Sequence, residues 1–152
     1  MTENELVNEL KKIGINLTTE QLIKLILYKN FLQEYNKTTN LTRIIEDNDI
    51  YLKHFYDSLT IAKVVDLSKY NNLLDIGSGA GFPGVVLKIV YPNLKVVLID
   101  SNNKKTIFLN KLKEILKIDF EVINDRVENY AKNNLNNFDI VTSRAVANLR
   151  VL

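Results

Sequence analysis

One short stretch and one residue beyond it have the types and spacing to hold a small charged ligand. Asp75, Gly77, Gly79 and Gly81 alternate along Asp75-Ile76-Gly77-Ser78-Gly79-Ala80-Gly81, and Asp100 follows at the end of another apolar run. Glycines suit such a turn because a side chain would hold the backbone away from a ligand. Dinucleotides use a related turn, Gly-x-Gly-x-x-Gly, which aims a helix N-terminus at a pyrophosphate. Counted from Gly77, that pattern needs glycine at position 82, where Phe82 stands. Asp75 would repel a pyrophosphate but could face an ammonium group. S-adenosylmethionine carries an ammonium and a sulfonium and no phosphate, and Asp100 could accept from both of its ribose hydroxyls. The plain alternatives are a structural Gly-rich turn and an acidic residue that only caps a helix.

The elements that must position these residues alternate between strand and helix. Leu73-Leu74-Asp75-Ile76 predicts a first strand, and Pro83 with Val85–Val90 a helix that Tyr91-Pro92 stops. Lys95–Asp100 predicts a second strand, apolar on both faces as in a covered parallel sheet. A helix with Phe108, Leu112, Ile115 and Leu116 on one face follows. Phe120–Ile123, a short helix over Glu128–Lys132, and Phe138–Thr142 complete the alternation. The pattern predicts an α/β fold of right-handed βαβ units with a Rossmann-like parallel sheet. Residues 1–70 read instead as helices packed on that sheet, with 71–152 as the α/β part. Thr18 and Gln21 fit a capping box ahead of Leu22, Leu25, Ile26, Leu32 and Tyr35 at helical spacing. Asn36–Asn40 should break that helix, and another should run from about Asn48 to Val65, capped by Asp47 or Asn48.

Composition bounds the chemistry. The chain has 152 residues, 46% of them hydrophobic and 25% charged, which is ordinary for a soluble globular domain. With no cysteine there is no disulfide framework, no thiolate metal site and no cysteine nucleophile, and one histidine leaves little for an imidazole zinc site. No apolar run approaches the roughly 20 residues of a membrane span. The expected setting is cytoplasmic. The net charge of +2 does not announce a nucleic-acid binder. Lys104, Lys105, Lys111, Lys113 and Lys117 crowd one helix against Glu114, either as a solvated face or as an RNA-facing one.

Missing residues narrow the kind of methyl transfer. Addition to pyrimidine C5 needs a cysteine, and transfer to adenine's exocyclic amine usually follows an Asn/Asp-Pro-Pro-aromatic turn after the fourth strand. That turn here is Thr142-Ser143-Arg144-Ala145-Val146-Ala147. Guanine N7 needs neither device, because it attacks with a free lone pair and has no proton to lose. Such a reaction mainly needs alignment.

Several blocks carry a family likeness. Asn36-Lys37-x-x-Asn40-Leu41-Thr42-Arg43-Ile44 and His54-Phe55-x-Asp57-Ser58-Leu59 are two of them. Leu74–Gly84, Arg126-Val127-Glu128 and Phe138–Ala147 are the others. In this order they resemble the signatures of the ribosomal small-subunit methyltransferase G family, also called glucose-inhibited division protein B. The resemblance implies an S-adenosylmethionine-dependent transfer to N7 of one guanine in 16S ribosomal RNA. It implies that Gly77 and Phe82 contact the cofactor and that Val127 and Glu128 flank its adenine. Arg144 would sit by the methionine end and the acceptor base. On spacing alone, Glu128 could equally be a helix N-terminal carboxylate and Arg144 a surface arginine. Lys37 and Arg43 are candidates for RNA phosphate contact. His54 is either an RNA contact or part of a local cluster with Asp57 and Ser58. The partner implied is 16S ribosomal RNA or the small ribosomal subunit, and the complete protein is expected to be monomeric.

The resemblance also implies a longer sheet than the four strands counted here. Arg150-Val151-Leu152 should then fall inside the helix after the fourth strand, leaving that strand as an apolar edge. A chain cut short in this way should bind cofactor weakly and not methylate. The alternative function is a non-catalytic cofactor- or RNA-binding fragment, and a dehydrogenase with an atypical turn is disfavoured by Phe82.

Overall fold

Two capping boxes open the N-terminal helices. Thr2 and Glu5 cap α1 (Glu3–Lys12), which buries Leu6 and Leu10. Thr18 and Gln21 cap α2 (Thr19–Thr39) in the same reciprocal way, each side chain taking the other's backbone N–H. The computed structural model describes residues 1–143 together with the backbone of Asn148–Val151.

The Asn36–Asn40 segment does not break α2. The helix continues to Thr39 and ends on Asn40 in the left-handed conformation at φ 50°. The buried Asn36 side chain instead ties down the chain that follows, taking the Thr42 N–H at 2.9 Å and donating to the Thr42 carbonyl at 3.0 Å. The next helical run is not one α-helix either. It passes from α3 (Asp47–Asp49) through a π-helical stretch (Ile50–Tyr56) and α4 (Asp57–Leu59) to a 3-10 turn (Thr60–Lys63). Its buried residues fall in pairs four apart, at Ile50-Tyr51, His54-Phe55 and Ser58-Leu59. A spacing of four lies between the 3.6 residues of an α turn and the wider π turn, so a run that combines both keeps these pairs on the core side. Glu46 occupies the N-cap without a side-chain cap bond. Asp47, the expected cap, instead accepts from Gln33 at 2.6 Å and Lys29 at 3.0 Å, and these bonds hold its carboxyl below the ordinary value.

The α/β part follows the expected alternation. Strands β1 (Asn72–Ile76), β2 (Lys95–Asp100), β3 (Glu121–Asn124) and β4 (Ile140–Ser143) are parallel. Helices α5 (Gly84–Val90), α6 (Asn103–Leu116) and α7 (Val127–Asn134) connect them. The expected C-terminal helix is replaced by β5 (Asn148–Val151), antiparallel to β4 with Ser143 opposite Asn148 and Ile140 opposite Val151. A returning strand gives the apolar edge of β4 its hydrogen-bond partners, which a helix there would not do. Among the described residues the sheet order is β3-β2-β1-β4-β5.

Each face of the sheet has its own core. Leu73, Val96, Leu98 and Ile140 join one cluster with Val85 and Leu87 of α5 and Phe108 and Leu112 of α6. The same cluster takes in Leu6 and Leu10 of α1, Tyr28 and Leu32 of α2, and Phe55 of the π-helical stretch. The N-terminal helices thus share the core of the sheet. Leu74, Val97, Ile99 and Val141 point the other way, with Phe138 and Tyr130 of α7 over them. This alternation within strands apolar on both sides is what a doubly covered parallel sheet requires.

Candidate functional site

Strand ends bring the candidate residues together. A cavity of about 360 Å³ opens at the carboxyl ends of β1, β2 and β3, where ligands bind in parallel α/β sheets. Ile76 and Gly77 line it from β1, Ile99, Asp100 and Ser101 from β2, and Asp125, Arg126, Val127 and Glu128 from the loop after β3. Gly77, Asp100, Val127 and Glu128 are therefore neighbours in space. Asp125 and Arg126 were not anticipated in this role. Their signal was their place, immediately past the third strand.

The turn after β1 is held by the neighbouring strand. Gly77 N–H donates to the Ile99 carbonyl at 2.8 Å, and Gly79 N–H to Asp100 Oδ2 at 3.0 Å. The other Asp100 oxygen takes the Asn102 N–H at 2.8 Å. A carboxylate can accept about four hydrogen bonds, so Asp100 keeps acceptor capacity toward the cavity. At Gly77 and Gly79 an added Cβ would meet nothing within 4 Å. The space over this half of the turn is open. Three carboxylates, Asp100, Asp125 and Glu128, line the cavity against the single guanidinium of Arg126. Such a lining offers acceptors for hydroxyls and disfavours a pyrophosphate.

Other candidates lie elsewhere. Asp75 is fully buried and faces inward, with Oδ2 accepting from Gly84 N–H and Oδ1 from the Thr142 hydroxyl, both at 3.0 Å. It ties α5 and β4 to β1 rather than meeting an ammonium group. Gly81 opens on no cavity, since a Cβ there would lie 2.5 Å from Tyr28 Oη and 2.7 Å from Val85 Cγ2. Phe82 is buried, and its ring stacks on His54 at 4.0 Å and on Tyr28 at 5.3 Å between centroids.

Of the RNA-contact candidates, Lys37 and Arg43 are exposed, Lys37 in an ion pair with Glu34 at 2.9 Å. His54 is only 5% exposed. Its Nε2 lies 3.1 Å from the Thr42 hydroxyl, and its carbonyl accepts from Ser58 Oγ at 2.5 Å. The His54 side chain thus meets Thr42 and Phe82, with Ser58 bonded to its backbone, and an RNA contact does not fit its burial. On α6, Lys113 pairs with Asp119 at 3.5 Å and Lys111 lies over the Tyr35 ring at 5.2 Å. Arg144 lies outside the described residues. No helix among them is long and apolar enough to cross a membrane.

The family profile described as rRNA small subunit methyltransferase G matches residues 21–152. The chain belongs to that family. A ribosomal RNA small subunit methyltransferase G of Acholeplasma laidlawii is 46% identical over 140 residues, which cover 92% of this chain and 61% of that protein. One from Bacillus subtilis is 44% identical over 155 residues, covering all of this chain and 65% of that protein. The chain thus spans somewhat less than two thirds of the length of these curated methyltransferase G relatives. Among solved structures, the plantazolicin methyltransferase BpumL in complex with SAH superposes with a TM-score of 0.52 at 17% identity, over 93% of this chain and 49% of that one. That likeness, at 17% identity, concerns the fold alone.

Proposed function

We propose that the chain carries the cofactor site of an enzyme that moves a methyl group from S-adenosylmethionine to guanine N7 in 16S ribosomal RNA. The observation that carries this reading is the open, acidic cavity shared by Gly77, Asp100, Val127 and Glu128 in a member of this family. The lining fits a ligand with ribose hydroxyls and positive charge and no phosphate. Asp100 would accept from the ribose, and Val127 and Glu128 would flank the adenine. Arg144 would stand by the methionine end and the acceptor base. The bound cofactor supplies an electrophilic methyl group on a sulfonium. The protein's part is alignment, for which orientation can be worth roughly 7–11 kcal/mol. No general base is required at N7, which agrees with the one histidine being buried in the core. Lys37 and Arg43 would meet RNA phosphates, in the cytoplasm where ribosomal RNA is assembled. The second reading is a non-catalytic cofactor- or RNA-binding fragment.

The test is calorimetric titration of the chain with S-adenosylhomocysteine and with NAD, followed by label transfer to small-subunit RNA from a strain lacking the enzyme. S-adenosylhomocysteine should bind and NAD should not. Binding of NAD alone would overturn the proposal. Binding without label transfer would select the second reading.

A further inference from the structure

We infer that Tyr28 is a positioning residue for the cofactor turn, acting through Ala80 and Phe82. The inference rests on reading the cavity at β1, β2 and β3 as the cofactor site. The two halves of the turn are held from different places. Its first half hangs on β2, through Ile99 and Asp100. Its second half is held from α2, an element outside the strand–turn–helix unit altogether. The Tyr28 hydroxyl, fully buried, donates to the Ala80 carbonyl 52 residues away in sequence. The Tyr28 ring lies parallel to the Phe82 ring, 2° between planes. Gly81 lets the hydroxyl in, since a Cβ there would sit on Tyr28 Oη.

Both sides of this clamp act on one short loop. Gly79 N–H must meet Asp100 while Ala80, the next residue, is fixed by Tyr28. The placement of Gly79 against Asp100, which lines the cavity, therefore depends on α2. The stack continues to His54, whose ring is 4.0 Å from Phe82 and nearly parallel to it. His54 in turn reaches the Thr42 hydroxyl, beside the exposed Arg43.

Tyr28→Phe keeps the ring and removes only the donor to Ala80. The dissociation constant for S-adenosylhomocysteine is measured by calorimetry well below the melting transition. The same is done for Leu10→Ala, a core truncation in α1 that leaves the Tyr28 hydroxyl and the turn's hydrogen bonds in place. Tyr28→Phe should weaken binding about three- to tenfold, the range expected for one lost hydrogen bond. Leu10→Ala should lower the melting temperature and leave the affinity of the folded chain within twofold. His54→Ala, which removes the ring stacked on Phe82 and keeps the Tyr28 hydroxyl, should weaken binding as Tyr28→Phe does. Unchanged affinity in both Tyr28→Phe and His54→Ala overturns the inference. So does weakening that tracks melting temperature across all three variants, because general destabilisation would then explain it. If the unsubstituted chain binds no S-adenosylhomocysteine, the cavity reading itself falls and this inference falls with it.

Discussion

Gly77 and Gly79 on one side of the turn, and Gly81 and Gly84 on the other, are the same residue for opposite reasons. A Cβ on either of the first two would project into open space. On Gly81 it would strike Tyr28 and Val85, and on Gly84 it would strike Leu98 and the Asp75 carboxylate. The first half of the motif keeps room for a ligand. The second half seats the turn and α5 against the core, and Asp75 belongs to that half because it takes the Gly84 N–H. A motif that looks like one ligand-binding signature is thus two adjoining requirements, one facing the cavity and one facing the protein.

The largest effect that tests this contrast is on stability, at Gly81. Alanine there would combine a φ of +100° with contacts of 2.5 Å and 2.7 Å to Tyr28 and Val85. Left-handed strain costs about 1–2 kcal/mol and overpacking about 1–3 kcal/mol, so Gly81→Ala should lose about 2–5 kcal/mol. Urea unfolding of the variant measures it directly. A loss under about 1 kcal/mol would break the contrast, since the second half would then be no more constrained than the first.

Next in size is Asp100→Asn, which touches the join between turn and cavity. The two carboxylate oxygens take the Gly79 and Asn102 N–H groups, and an amide has only one oxygen to offer. One N–H would face an amide NH₂ instead, at a cost of about 1–3 kcal/mol. Stability should fall by about that amount and S-adenosylhomocysteine affinity by roughly tenfold or more. Stability lost with affinity intact would move Asp100 from the cavity-facing half to the core-facing one.

The difference between the halves also marks what was legible in the sequence. Apolar runs ending at Ile76 and Asp100 announced the strands, and β2 has the bounds its sequence predicts. Gly77 and Asp100 stand at those strand ends, so their approach was readable from the pattern, whereas Val127 and Glu128 were named only through the family resemblance. The direction of a side chain was not. Asp75 and Gly81 stood at the right positions, but whether they faced cavity or core depended on Gly84, Thr142 and Tyr28. Phe82 and His54 stack across 28 residues of sequence, and ring stacking leaves no local trace. The π-helical stretch was hidden because pairs four apart look like an ordinary amphipathic helix over one or two turns. β5 was missed because the expected helix came from the family's pattern rather than from Asn148–Val151 itself.

The smallest expected stability effect gives the sharpest form of the contrast. Gly79 has φ +58° and open space where a Cβ would stand, so Gly79→Ala should cost only the conformational strain, about 1–2 kcal/mol. Asparagine tolerates the left-handed region better than alanine, so Gly79→Asn should cost less than that. Its side chain is nevertheless longer and enters the open space beside Asp100, a residue of the cavity lining. Binding and stability should therefore part company. Gly79→Asn should be more stable than Gly79→Ala in urea unfolding and bind S-adenosylhomocysteine no better, and both should bind more weakly than the unsubstituted chain. If affinity instead recovers along with stability, the glycine at 79 serves the backbone alone. The first half of the turn would then differ from the second in its surroundings but not in its purpose.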